Sequence, residues 1–328
     1  MQGVLLGFGV VLVIVLVGFT AARLLRSQAT AMLAGLGPAV YYITNPALMI
    51  ILVADTDLRA VFGVFTPIAL ITAALSGGLY TLISRLGLRR GGRQTAVGAM
   101  SSSYVNAGNI GLPIALYAVG SSAPVVSVLL AQLLVVAPTY IAVFSWLTGR
   151  SRGASPGTGP DGTPRAGTPR AATPLWRTLV GSVANPVTIG TAIGLVLAVT
   201  GFRPPEVVWK PLTMIGNASV PMLLLMFGMS LSGQRPFRAR ELLPDIMLSG
   251  GVKLVFMPVV AWAVGHFVFG LGGVALLGVV VMAALPTAQN VYLFSSRFRM
   301  PTVLVRDVIL LSSLLCLPVI LVAALLLR

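Results

Sequence analysis

Charge is what this chain has least of. Of 328 residues only 7 are Asp or Glu, 22 are Lys or Arg, and charged residues make up 9%, against about 25% in an ordinary soluble domain. There is one histidine and one cysteine. A single cysteine, Cys316, excludes an intrachain disulfide framework and reads as a small buried apolar residue. The chain has no His-Glu-x-x-His or Gly-x-Gly-Asp pattern. The seven acids avoid the middle of every apolar run: Asp55, Asp57, Asp245 and Asp307 lie at or near expected helix ends, Glu206 and Glu241 in loops, and Asp161 in a linker. That scarcity excludes a proton antiporter built on an intramembrane aspartate pair, leaves a resident metal without ligands, and implies no cofactor. An intramembrane enzyme using Asp55 and Asp57 lacks the accompanying motifs, and a receptor or scaffold gives no reason for broken helices at membrane depth.

What the chain has instead is long uncharged runs, with 57% hydrophobic residues and a mean hydropathy of +0.97. Such runs cover 1–22, 27–54, 60–84, 94–149, 178–202, 211–234 and 308–327, and 254–296 holds no charge but one histidine. A span needs roughly 20 residues. The run 94–149 therefore holds two helices, divided near Gly120–Ala123, and the region 246–296 two more, divided near Gly270–Gly273. The expected fold is an all-α integral membrane protein with ten transmembrane helices. The first run lacks a basic leader and is too long for a signal-peptide core, so it reads as the first helix.

The formal charge of +15 is a topology signal and not a nucleic-acid footprint. Seventeen of the 22 basic residues fall in the loops after helices 1, 3, 5, 7 and 9. By the positive-inside rule those loops are cytoplasmic and both termini face outward across the cell membrane. Between helices 5 and 6, residues 150–177 are rich in Gly, Pro, Ser, Thr and Arg and read as a disordered basic linker. The linker separates a first five-helix repeat, 1–149, from a second, 178–328. An odd number of helices per set inverts the second relative to the first. The halves echo one another: Asn45-Pro46 recurs as Val220-Pro221 at an offset of 175, and Gly111-Leu112-Pro113 as Ala284-Leu285-Pro286 at 173.

Two segments carry the chemistry. Residues 103–114 place Asn106, Gly108, Asn109, Gly111 and Pro113 at membrane depth, and residues 284–291 place Pro286, Gln289 and Asn290 there. Broken helix and side-chain amides survive in a bilayer only where protein or a watery cavity satisfies them. A pair of proline-interrupted segments in corresponding halves points to a transporter's binding site. If helices 4 and 9 open beside Pro113 and Pro286 and cross, their half-helix N-termini favour an anion. Asn106, Asn109, Gln289 and Asn290 supply amides beside it. Asn45, beside Pro46, either lines the cavity or steadies helix contacts, and the same choice holds for Asn217 and Ser219. Lys253 is the one charge well inside a span; it faces a cavity, balancing a substrate carboxylate or standing in for sodium, or it snorkels to the interface. Gln132 reads as a helix–helix hydrogen bond, and His266 as an interfacial residue.

On the segments Asn106–Pro113 and Ala284–Asn290, and on the long central loop, the chain resembles the auxin efflux carrier family, including its bacterial members, and more distantly the bile-acid and sodium symporter-like transporters. The resemblance implies a five-plus-five inverted repeat with crossover helices 4 and 9. It further implies a scaffold of helices 1, 2, 6 and 7 and a transport part of helices 3–5 and 8–10. In that family asparagines beside the crossover prolines contact a carboxylate-bearing substrate, which points to Asn109 or Asn106 and to Asn290. The expected function is a secondary carrier of small organic anions by alternating access, with sodium-coupled symport as the alternative. Its expected partners are a carboxylate and the bilayer, with monomer and homodimer both open and no nucleic acid.

Overall fold

A computed structural model describes residues 2–152, 186–232 and 240–327. Helices in chain order are α1 (Gln2–Leu24), α2 (Arg26–Ala54), α3 (Leu58–Leu86), α4a (Gly92–Ser103), α4b (Ala107–Val119), α5 (Ala123–Thr148) and α6 (Pro186–Thr200). They continue with α7 (Glu206–Leu231), α8 (Arg240–Val268), α9a (Gly273–Ala283), α9b (Gln289–Arg297) and α10 (Thr302–Leu326). Among the described residues six helices are long and apolar enough to cross a bilayer, four shorter apolar helices accompany them, and β-structure is limited to one isolated bridge. The protein is an all-α membrane protein. The turn between α4b and α5 falls at Gly120, whose φ of 74° closes the helix, and the one before α9a at Gly270 and Gly273, with φ of 63° and 52°. Helical turns after α5 continue to Arg152, past the expected start of the linker at 150. The rest of the linker, and the expected start of helix 6 at 178, lie outside the described residues.

Proline acts by one rule in five places. Asn45 N–H bonds to Val40 O, Thr66 to Val61, Leu112 to Ala107, Ala137 to Gln132 and Met257 to Val252. Each bond spans five residues instead of four, and each donor immediately precedes a proline: Pro46, Pro67, Pro113, Pro138 and Pro258. A proline has no N–H, and its ring crowds the carbonyl four residues back. The ladder answers by widening into a π turn and continuing. Pro113 therefore does not open helix 4. It is buried inside α4b, and the opening lies earlier, at Tyr104–Asn106, between α4a and α4b.

Helix packing sorts the chain into two groups. α1 lies along α7, α7 along α2, and α2 along α6; α3, α4a, α5, α8, α9a, α9b and α10 pack on one another. The first group is held by close backbone approach: a Cβ added at Gly228 would collide with the Val15 carbonyl of α1, and one at Gly190 would lie 2.5 Å from the Pro46 carbonyl of α2. The groups meet where α1 and α7 pack on α4b. One apolar cluster spans that meeting and includes Val11, Leu112, Ile114, Leu224, Val281 and Leu285. A second fills the end toward the basic loops, around Met100, Phe144, Ile246, Val291 and Leu304. Asp245, at the start of α8, is fully buried there and paired with Arg90 at 2.7 Å.

Gly228→Val forces α1 and α7 apart and is expected to cost about 1–3 kcal/mol or more. Gly35→Ala, where an added Cβ meets nothing within 4 Å, serves as the matched control. Thermal melting of the detergent-purified proteins should show a clear loss for the first and none for the second.

Candidate functional site

Helix 4 stops at Ser103 and helix 9 at Ala283, and the two unwound stretches run antiparallel against each other. Val105 and Thr287 form the bridge. Asn106 N–H donates to Pro286 O at 2.8 Å, and Ala288 N–H donates to Tyr104 O at 3.2 Å. Two carbonyls at the break find side chains: Gln132 Nε2 donates to Val105 O at 2.9 Å, and Thr287 Oγ1 to Ser101 O at 2.6 Å. Thr287 N–H in turn donates to Ser312 Oγ of α10 at 3.1 Å. At the end of α9a, Lys253 Nζ donates to Ala283 O at 3.3 Å.

The N-termini that follow are left differently. α4b begins after Asn106 and α9b after Ala288, and neither residue's side chain caps its helix. The first-turn N–H groups of a helix have no intrahelical acceptor, and an alanine at the N-cap position offers none either. Both N-termini face one cavity of about 570 Å³. Its wall takes Asn106, Ala107, Gly108 and Asn109 from one broken helix, and Ala288, Gln289 and Asn290 from the other. Asn45, Tyr41 and Tyr42 of α2, Thr188 and Thr191 of α6, Gln132 of α5 and Arg297 of α9b complete it. None of the described residues lining it is an acid. Two helix N-termini contribute roughly half a positive charge each, and Arg297 adds a full one. The described lining thus carries positive charge with no acid among it.

Five of the sequence-derived candidates are thus brought together: Asn45, Asn106, Asn109, Gln289 and Asn290. Gln289 and Asn290 are exposed to the cavity, while Asn45 is 3% exposed and its side-chain oxygen has no partner. The other three are placed elsewhere. Pro286 lies in the break and contributes its carbonyl to Asn106, and Pro113 is enclosed by the apolar cluster within α4b. Lys253 is fully buried behind the break, on Ala283 O and on Met257 Sδ at 2.9 Å; it neither lines the cavity nor snorkels. The structure also brings in residues that the sequence reading did not assign to the site. Tyr104 lines the cavity with Asn290. Gln132 pairs with the broken backbone as well as joining two helices. Arg297 lies seven residues after Asn290, a spacing that puts both on one helix face.

The model of the family described as membrane transport protein covers residues 10–324. The chain belongs to the auxin efflux carrier family. No curated protein matches it significantly. Membership makes it a membrane transport protein.

Thr287→Val removes the donor to Ser101 O and leaves a buried carbonyl unpaired, a loss of about 1–3 kcal/mol. A lowered melting temperature is expected for Thr287→Val, and an unchanged one for Gln289→Ala, whose side chain only faces the cavity.

Proposed function

We propose that this transporter is a secondary carrier of small organic anions, carboxylates above all, and that it works by alternating access. One observation carries the reading: two uncapped half-helix N-termini face the same acid-free cavity. A helix N-terminus is a ready anion site, because unpaired N–H groups and the helix dipole point the same way. A carboxylate seated there replaces the missing N-cap of both helices at once. Asn109 and Asn290 flank it with amide donors. Arg297 lies seven residues beyond Asn290 along α9b, roughly 10 Å at 1.5 Å per residue, which suits the far end of a small acid. The unpartnered side-chain oxygen of Asn45 offers an acceptor to a hydroxyl or N–H on the solute.

The alternating-access reading draws on the division of the helices. α1, α2, α6 and α7 act as a scaffold; the remaining helices carry the broken pair and move against it. Antiparallel pairing of the two breaks fits an inverted repeat of five helices each. Arg297 and the basic loops lie at one end of the cavity, the end the positive-inside rule assigns to the cytoplasm. Ile114, Leu224 and Leu285 belong to a buried apolar cluster and do not line the cavity. The cavity is therefore taken as the inward-facing one, with both chain termini outside.

A charge-assisted hydrogen bond contributes about 1.5–3 kcal/mol, so Asn109→Ala and Asn290→Ala should each weaken anion binding roughly 10- to 100-fold. The measurement is ligand-induced thermal stabilisation of purified protein with acetate, malonate, malate and indole-3-acetate as probes, followed by proteoliposome flux of whichever probe binds. Wild-type affinity in both variants, with folded protein in each, would reject this cavity as the solute site.

A further inference from the structure

Lys253 sits in the wide turn Val252–Phe256 of α8, fully buried. Among the described residues its ammonium has two acceptors, Ala283 O at 3.3 Å and the Met257 thioether at 2.9 Å, and the ion pairs found involve other residues. An ammonium has three N–H donors, and a buried charge without a counter-charge is costly. What balances it is the end of a helix. Ala283 is the last residue of α9a, so its carbonyl belongs to the partly negative terminus with no intrahelical donor. Ala284 N–H takes Val280 O, Leu285 N–H takes Met282 O, and Lys253 takes Ala283 O. On the partner break the equivalent work is done by neutral groups, the Thr287 hydroxyl and the Gln132 amide. Among the described residues, a lysine holds the end of one broken helix and neutral groups that of the other.

In carriers with broken helices, unwound carbonyls and half-helix C-termini are where coupling cations bind. We propose that Lys253 is a tethered cation: its ammonium occupies the position at the C-terminus of α9a that a dissolved alkali ion would otherwise fill. The carrier then holds its solute without sodium. This rests on the anion-carrier reading. Lys253 and the solute lie at opposite ends of the break Ala284–Ala288. The lysine does not touch the solute; it is a positioning residue that fixes the backbone from which α9b starts. A small cavity of about 30 Å³ adjoins both of its acceptors, Met257 and Ala283, and is also lined by Thr72, whose buried hydroxyl has no partner. It leaves room for a small replacement cation once the lysine is cut back.

The test uses ligand-free protein, so it stands whether or not any carboxylate binds. Melting temperatures of wild type, Lys253→Ala and Lys253→Met are compared in choline, sodium, potassium and methylammonium chlorides at equal ionic strength. Wild type should melt at one temperature in all four salts. Lys253→Ala should melt lower in choline and recover several degrees in methylammonium or sodium. Lys253→Met, which fills the space without charge, should show no such recovery. If Lys253→Ala folds only in methylammonium, its unfolding on exchange into choline supports the assignment. A Lys253→Ala protein indifferent to the salt overturns it, as does a wild type stabilised by sodium over choline. Failure of every probe carboxylate to stabilise the wild type would instead reject the anion site and leave this result standing.

Discussion

The structure depends on two unwound segments satisfying each other's backbone. A bilayer offers no water to an unpaired N–H or C=O, so a helix can break at membrane depth only if something answers the groups it frees. Here the answer to each break is largely the other break, through the Val105–Thr287 bridge and the bonds Asn106–Pro286 and Ala288–Tyr104. Residual carbonyls are taken by Gln132, Thr287 and Lys253. Facing the cavity are the two uncapped N-termini that begin α4b and α9b. Those N-termini carry the positive end of each helix dipole, before any charged side chain is counted.

Much of this was legible in the residues. Uncharged runs marked the helices, Gly120 and Gly270–Gly273 marked the turns, and Asn109 and Asn290 were singled out because amides at membrane depth need a reason. The break in helix 4 was misplaced because proline is the loudest local signal, and its effect depends on what precedes it. Pro113 sits where a widened turn can absorb it. The true opening, Tyr104–Asn106, contains no proline and is imposed by pairing with a strand-like segment some 180 residues away. No local pattern carries that. Lys253 was recognised as out of place, but its direction was invisible, since a lysine facing a cavity and one capping a helix end look alike in sequence. Arg297 was hidden by abundance, one arginine among many that report topology.

The recurrent π turns tie the prolines to the site. A wide turn rotates the residues that follow it relative to a regular helix. In α4b one begins at Ala107, directly after the break, and in α2 one ends at Thr44, directly before Asn45. Two of the five therefore set the facing of cavity residues, Asn109 and Asn45. The same proline rule that keeps the helices continuous also aims their amides.

Ala288 carries a consequence of its own. Residue 288 stands where helices usually supply their own oxygen, and its methyl group cannot. On the proposed anion-carrier reading, the cargo finishes a piece of secondary structure that the polypeptide left incomplete, so loading the carrier and locally folding it are one event. An empty molecule would be the looser one around α9b. A serine at 288 would act as a permanent internal competitor, a stowaway in the berth meant for the passenger.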